Sequence, residues 1–398
     1  MRKKSTTHMV YGVLIALCGF VLAELIYLGS EGSPDIRALA AEVVTTCADA
    51  PYKPTCYEEK VPRLMSTLSM EEAFKVTSIV QEIDPTYKYC HVLGHKLSAN
   101  ETAKDPDKWQ QVIQRCPSGV CSNGCIHGAF QERFRKESLS IEEVESYAPQ
   151  FMSVCEKRDG FDPTKLERAT CYHALGHLLM YVTSADIDQS VRFCDEYVGK
   201  PQNESLGQIC YDGAFMQIYQ PLEPDDFALI EGKEISKEEL KPFCDRFKGK
   251  VRGSCWSEGW PLYKSEIMAP NGVENFCSYL PATERARCFE GVVYVMISQL
   301  SFDIDKIEDF CGSMSVSHRS NCFASAASRF IETDYKNAGA AVGICEISKK
   351  YEGDDKCYEE LIKYSTYNFH PKSEAFKTYC STMPEPWMAK CFTRGDRL

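Results

Sequence analysis

The chain has 398 residues, of which 44% are hydrophobic and 26% are charged, so it can bury a substantial core and is not disordered throughout. Its formal net charge of −12 argues against non-specific nucleic-acid binding, which needs an excess of lysine and arginine, and we expect no nucleic-acid partner. The length corresponds to two or three ordinary domains or to one long array of repeats.

The N-terminus predicts a membrane segment. Residues 1–8 form a basic tail, and residues 9–28 form an apolar run that only Glu24 interrupts. Twenty helical residues rise about 30 Å, which is enough to cross a bilayer. The basic tail should stay in the cytoplasm, which places everything beyond a linker at 29–35 outside it. A cleaved signal peptide is the alternative to this single-pass anchor, since Val21-Leu22-Ala23 fits a cleavage site, and the protein would then be secreted.

The cysteines indicate both the compartment and a repeat. Of the 21 cysteines, Cys18 lies in the apolar run and 20 follow it. Export places these 20 in an oxidising compartment, where they form disulfides. From Cys255 to Cys391, the second members of successive cysteine pairs recur at steps of 33, 34, 35 and 34 residues. A period of this size is typical of a helical hairpin that repeats along an α-solenoid.

The segments around each cysteine pair also favour helices. An amphipathic stretch leads into the first cysteine, a polar turn follows, and a large residue such as Tyr172 or Phe289 comes directly after the second. No segment shows the alternation of a β-strand. We therefore predict an all-α extracytoplasmic domain over 36–398, an α-solenoid of about ten disulfide-stapled helical hairpins. The repeat period and the hairpin layout resemble those of tetratricopeptide-like solenoids, although the consensus residues of those proteins are absent from this chain. The resemblance implies no activity.

The repeat also predicts how the cysteines pair. Eight disulfides follow from adjacency: Cys47–Cys56, Cys155–Cys171, Cys194–Cys210, Cys244–Cys255, Cys277–Cys288, Cys311–Cys322, Cys345–Cys357 and Cys380–Cys391. From its position in the repeat, Cys116 ends a first helix and Cys125 opens a second, so these two cysteines should form a disulfide. Cys90 and Cys121 would then remain to bond with each other. A zinc cluster of these four cysteines is the alternative, although export oxidises thiols and the spacing lacks paired C-x₂-C motifs.

Histidines interrupt the repeat symmetry in the hairpins at 90–180. Five of the eight histidines lie there, as His91-Val-Leu-Gly-His95, as His127 and as His173-Ala-Leu-Gly-His177. The first histidine of each helix occupies one structural level, and histidines four residues apart share a helix face on which they can chelate an ion. Imidazole suits zinc, copper and iron, so we predict a transition-metal site. A non-covalent haem is also chemically compatible with bis-histidine ligation.

The geometry of a repeat array limits how these histidines combine. Packed helices lie about 8–10 Å apart, so His91 and His173 would be about 20 Å apart in a flat stack. They meet only if the array curls tightly; otherwise each i,i+4 pair forms its own site with His127 between the two. Asp212, at the same level in the next hairpin, is the candidate carboxylate ligand or base. Glycines at 94, 128 and 176 would leave room for an ion beside the helices.

The sequence is compatible with two different functions. The first is a membrane-anchored extracytoplasmic repeat protein with a histidine-rich metal site, used for catalysis or redox chemistry. The second is a non-enzymatic scaffold whose groove binds a peptide, a glycan or a partner protein, with structural histidines. Nucleotide-binding glycine patterns, H-E-x-x-H and G-x-S-x-G are all missing from the sequence, so no catalytic motif favours a particular reaction.

Overall fold

The computed structural model describes residues 35–134, 139–199, 204–222, 224–351 and 355–396. The predicted basic tail, the apolar segment at 9–28 and the linker up to residue 34 lie outside these described residues. Within the described ranges, no helix combines the length and the apolar character that crossing a membrane requires.

The described part of the chain is helical and has no β-strand, which confirms the all-α prediction. Its α-helices are α1 (Ile36–Thr46), α2 (Lys53–Arg63), α3 (Met70–Ile83), α4 (His91–Lys104), α5 (Trp109–Gln114), α6 (Gly124–Phe134), α7 (Ile141–Val154), α8 (Lys165–Val182), α9 (Ile187–Phe193), α10 (Glu204–Tyr219), α11 (Pro224–Ile230), α12 (Lys237–Cys244), α13 (Gly249–Glu258), α14 (Lys264–Ile267), α15 (Gly272–Cys277), α16 (Ala282–Gln299), α17 (Ile304–Gly312), α18 (Val316–Thr333), α19 (Ala338–Ser348), α20 (Lys356–Asn368), α21 (Glu374–Ser381) and α22 (Trp387–Asp396).

Local sequence explains where several of these helices begin. At α3 the Ser69 hydroxyl accepts a hydrogen bond from the backbone N–H of Glu72, and the Glu72 carboxylate accepts one from the backbone N–H of Ser69. Thr164 and Glu167 form the same capping box at α8. Each cap satisfies backbone donors that the first helical turn leaves free, and it stabilises the helix by about 1 kcal/mol.

Most of the helices form successive pairs, and the second helices of neighbouring pairs contact each other in chain order. The contacting series is α2, α4, α6, α8, α10, α13, α16, α18, α20 and α22. Elements far apart in sequence also meet: α20 contacts α8, and α18 contacts the turn at Cys121–Asn123. The helices therefore do not lie in a flat, open stack.

Ten disulfides join the 20 cysteines of the described residues, in the pairs that the repeat register predicts. Nine of them link the two helices of one pair. The tenth, Cys90–Cys121, links the start of α4 to the turn before α6. With Cys116 bonded to Cys125, no thiolate is left for the zinc-cluster alternative. Closing loops of this size stabilises the fold by about 3 kcal/mol per bridge in the chain-entropy account.

Candidate metal centre

The structure brings the five predicted histidines together. His91 and His95 lie on α4, His127 on α6, and His173 and His177 on α8. The His127 ring is central, with its centroid 4.9 Å from that of His91 and 5.1 Å from that of His95. It is also 5.5 Å from His173 and 5.4 Å from His177. His91 and His173 both contact this ring, so of the two arrangements that the sequence left open the structure has the one in which the histidines meet.

Glycines on the inner helices permit this arrangement. A Cβ on Gly128 of α6 would lie 2.1 Å from the carbonyl oxygen of His95 on α4. A Cβ on Gly213 of α10 would lie 2.0 Å from the carbonyl oxygen of His173 on α8. Real Cβ atoms do not approach an oxygen so closely, so only glycine lets these two helix pairs come into backbone contact.

The space beside the glycines is therefore occupied by protein. A Cβ on Gly94 would meet the backbone nitrogen of Cys125 at 3.3 Å, and one on Gly176 would meet the carbonyl oxygen of Cys210 at 2.1 Å. The expectation that Gly94, Gly128 and Gly176 leave room for an ion is wrong. They bring neighbouring helices close enough for imidazoles on different helices to touch.

Each i,i+4 histidine pair has the spacing of a bidentate chelate. The Nε2 atoms of His91 and His95 are 3.0 Å apart, and those of His173 and His177 are 3.2 Å apart. Two nitrogens bound to one ion at about 2.0–2.1 Å, with an angle of roughly 90–110° between them, lie about 2.9–3.4 Å apart. Both pairs fall within that range without any movement of the side chains.

His127 completes a set of three with the first pair. One nitrogen from each of His91, His95 and His127 lies within 4.8 Å of the other two, and all three side chains are buried. His127 Nε2 is buried and makes no hydrogen bond, whereas the equally unpartnered His95 Nδ1 would stay so with an ion bound at His95 Nε2. Leaving a buried polar atom unsatisfied costs about 1–3 kcal/mol, a cost that a metal ion bound at a free nitrogen would offset. The donor set therefore fits a transition-metal ion.

The turn at Cys121–Asn123 orients the His91 ring. The Cys121 carbonyl oxygen lies 3.3 Å from His91 Nδ1 and can accept its proton, which leaves a lone pair on Nε2. Metal-bound histidines are held in this way through the nitrogen that does not bind the ion. Cys121, Ser122 and Asn123 have φ values of 52°, 49° and 55°, in the left-handed region that L-residues avoid. The Cys90–Cys121 disulfide anchors this strained turn beside the site.

A buried amide and carboxylate orient His177. Its Nδ1 lies 2.7 Å from Gln217 Oε1, and Gln217 Nε2 donates to Asp226 Oδ1 at 2.8 Å. The Gln217 amino group faces the carboxylate, so its oxygen must accept from His177, and His177 must be protonated on Nδ1. Asp226 is buried and also accepts hydrogen bonds from Tyr181 and from the backbone N–H of Leu222.

Sequence reasoning missed Gln217 and Asp226. The sequence could have indicated Gln217 as a site residue, since it lies one helical turn after Gly213, on the part of α10 that approaches α8. No sequence pattern indicated Asp226, because it lies on α11, beyond the segment that follows α10, and its carboxylate contacts Gln217 of α10.

The environment keeps the imidazoles neutral. Burial lowers the pKa of His91 to about 4, with a further contribution from the charge of Arg329. Burial also lowers the pKa values of His95, His127, His173 and His177, and neighbouring imidazoles add to the effect at the first three of these. Neutral imidazole is the form that binds metal, so the cluster is in its ligating form at physiological pH.

Asp212 is not joined to the imidazoles. Its carboxylate forms an ion pair with Arg287 of α16, and within the described ranges no hydrogen bond connects it to a histidine. Its charge acts instead on the half-buried Glu258, whose pKa is raised well above the usual range by burial and then by Asp212. The predicted role of Asp212 as a ligand or base thus has no contact that supports it.

A small cleft of about 30 Å³ lies beside the histidines. His91, His95, His127 and His177 line it, and Gln217 and Asp226 also border it. An ion held by three histidines would therefore have a further coordination position within reach of a small ligand.

The chain matches no family model, and no curated protein or solved structure is significantly similar to it.

Proposed function

We propose that the protein binds a transition-metal ion through His91, His95 and His127. The observation that carries this proposal is the convergence of one nitrogen from each of these buried side chains within 4.8 Å. The ten disulfides indicate an extracellular or secreted protein, since such bonds persist in oxidising compartments. The proposed setting is thus an exported, disulfide-stapled helical domain.

The ligand set narrows the chemistry. Neutral imidazoles suit zinc, copper and iron rather than calcium or magnesium, which prefer oxygen ligands. Three protein ligands with an open position are typical of catalytic sites, whereas structural zinc sites are closed by four. A bound ion would supply a Lewis acid or a redox centre, and His91, His95 and His127 would hold it beside the cleft. The cleft supports a small-molecule ligand at the open position.

The ring contacts favour a bare ion over a haem. Two histidines on opposite faces of a haem keep their ligating nitrogens about 4 Å apart, with the macrocycle between the rings. The Nε2 atoms of His91 and His95 are 3.0 Å apart, and their ring centroids are 4.5 Å apart. No macrocycle fits between rings in such contact.

Two further parts of the proposal concern architecture and location. The ordered contacts between successive second helices support a curled α-solenoid. Membrane attachment through residues 9–28, or secretion after their cleavage, is our proposal from the sequence. The competing scaffold, in which a peptide, glycan or protein occupies a groove and the histidines are structural, requires no metal.

Metal binding by the tag-free full chain separates these functions. We expect equilibrium dialysis against Zn²⁺, followed by elemental analysis, to retain zinc in stoichiometric amount. His127→Ala should weaken retention by at least about tenfold, because it removes a direct ligand. His370→Ala is the matched control, since this exposed histidine contacts the Asp162 carbonyl oxygen and lies outside the cluster. No zinc on a correctly folded wild-type chain, with the same result for Cu²⁺ and Fe²⁺, would favour the scaffold.

A further inference from the structure

The second histidine pair has the properties of a separate metal site. We propose that a second transition-metal ion binds His173 and His177, so that the centre holds two neighbouring ions. This inference rests on the proposed function, because it adds an ion beside the one held by His91, His95 and His127.

A hydrogen bond fixes which nitrogen of His177 carries the proton. His177 donates from Nδ1 to Gln217, as the orientation of the amide requires. His177 therefore presents the lone pair of its Nε2 atom to His173 Nε2, which lies 3.2 Å away and can donate a hydrogen bond to it. When the His173 proton resides on Nδ1 instead, both Nε2 atoms are free to bind one ion at this spacing.

The pair has its own supporting shell. Asp226 holds Gln217 at 2.8 Å, and Gln217 holds His177 at 2.7 Å, which makes a carboxylate–amide–histidine series. His91 is instead supported from a different segment, through the Cys121 carbonyl. Supporting groups of this kind orient metal ligands and raise their basicity. Their separate origins indicate two sites rather than one site with extra histidines.

Distances also exclude one ion bound by all five rings as they stand. Ligands of a single ion, each about 2.0–2.1 Å from it, lie within about 4.2 Å of one another. Within the described ranges, the only set of three that meets even a 4.8 Å limit is His91, His95 and His127. His173 and His177 contact the His127 ring at centroid distances of 5.5 and 5.4 Å but fall outside that set. His127 is thus placed between the two ions.

Access to the second ion is available from the same cleft. His177 lines the cleft together with the three ligands of the first ion, so both ions face one small volume. A ligand with one or two oxygen or nitrogen donors could then contact both ions at once. The site class is a two-ion, imidazole-rich centre.

Zinc stoichiometry by native mass spectrometry, on the full chain with intact disulfides, tests the inference. We expect two ions in the wild type and one in each of the double variants His91→Ala/His95→Ala and His173→Ala/His177→Ala. Gln217→Ala should weaken the second ion by about 10–100-fold and leave the first unchanged. Gln220→Ala is the matched control, since Gln220 lines the same cleft but donates to Glu258.

The outcomes separate this inference from the proposed function. One ion in the wild type, lost in the His91/His95 variant and kept in Gln217→Ala, would overturn the second site and leave the first. One ion lost in both double variants would mean a single ion shared by rearranged rings, which also overturns the inference. No ion in the wild type would reject both. If the His173/His177 variant does not fold, Gln217→Ala decides. A second ion held as tightly in Gln217→Ala as in Gln220→Ala would not be bound through His177, and this result would overturn the placement of that ion at His173 and His177.

Discussion

Gly128→Ala tests whether close helix contact builds the histidine cluster. The added Cβ would lie 2.1 Å from the His95 carbonyl oxygen and 2.6 Å from the His95 Cα atom. A carbon and an oxygen need about 3.3 Å, so α6 must move away from α4 by roughly 1 Å. Both of these His95 atoms belong to the backbone, so a change of side-chain rotamer cannot relieve the clash. His127 precedes the substituted residue directly and moves with it.

The expected cost follows from two opposing terms. Overpacking of this kind destabilises a fold by about 1–3 kcal/mol, whereas alanine gains up to about 1 kcal/mol over glycine in a helix. We expect the first term to dominate, with a net loss of about 1–2 kcal/mol. We also expect zinc affinity to fall at least tenfold, or about 1.4 kcal/mol, because His127 leaves its position near His91 and His95.

Gly291→Ala supplies the control at the position that matches Gly128 relative to the preceding cysteine. Gly128 and Gly291 each follow the second cysteine of their pair by three residues, but a Cβ on Gly291 has no atom within 4 Å. This variant should be neutral or stabilised by up to about 1 kcal/mol, with unchanged zinc affinity. Urea denaturation with intact disulfides and zinc titration measure both quantities. Equal stability and equal zinc affinity of the two variants would refute the close-contact account.

Two further predictions concern pH and the strained turn. Burial would by itself raise the pKa of Asp84, but hydrogen bonds from Thr86, Tyr57 and Lys53 outweigh it and lower the pKa to about 2, from 3.8. A lowered carboxyl pKa stabilises the folded state above about pH 4, and this stabilisation is lost as the pH falls to about 2. Asp84→Asn should therefore lower the free energy of unfolding by about 2 kcal/mol at pH 7 and by little at pH 2, as measured by urea denaturation. Replacing Cys90 and Cys121 by serine should cost about 3–4 kcal/mol and weaken zinc binding, because the turn that orients His91 loses its anchor. The same replacement of Cys380 and Cys391, in the last helix pair, should cost about 3 kcal/mol and leave zinc binding unchanged; equal zinc loss in both would contradict a local role for the turn.

The cysteine spacing predicted the helix pairs because each disulfide joins two helices that are adjacent in sequence. Even the irregular Cys90–Cys121 bond followed once Cys116 and Cys125 were assigned by register. A histidine cluster was one of the two arrangements expected, since the histidines follow the helix-opening cysteines at matched positions. Spacing alone could not decide between separated and clustered histidines, because it carried no information on how closely the helices approach.

Contacts between distant segments were outside the reach of sequence reasoning. Asp212 lies at the expected level, but Arg287, from a later helix pair, takes its carboxylate. Asp226 supports His177 through Gln217, although nothing in its own sequence context indicates this role. Such pairings depend on which distant helix pairs come into contact, and no local pattern encodes those contacts.

Anomalous diffraction from crystals of the zinc-loaded protein, recorded across the zinc absorption edge, tests the central claim most directly. The account predicts a peak about 2.0–2.2 Å from one nitrogen each of His91, His95 and His127. Zinc bound only elsewhere on the protein, with no peak among these three imidazoles, would contradict it.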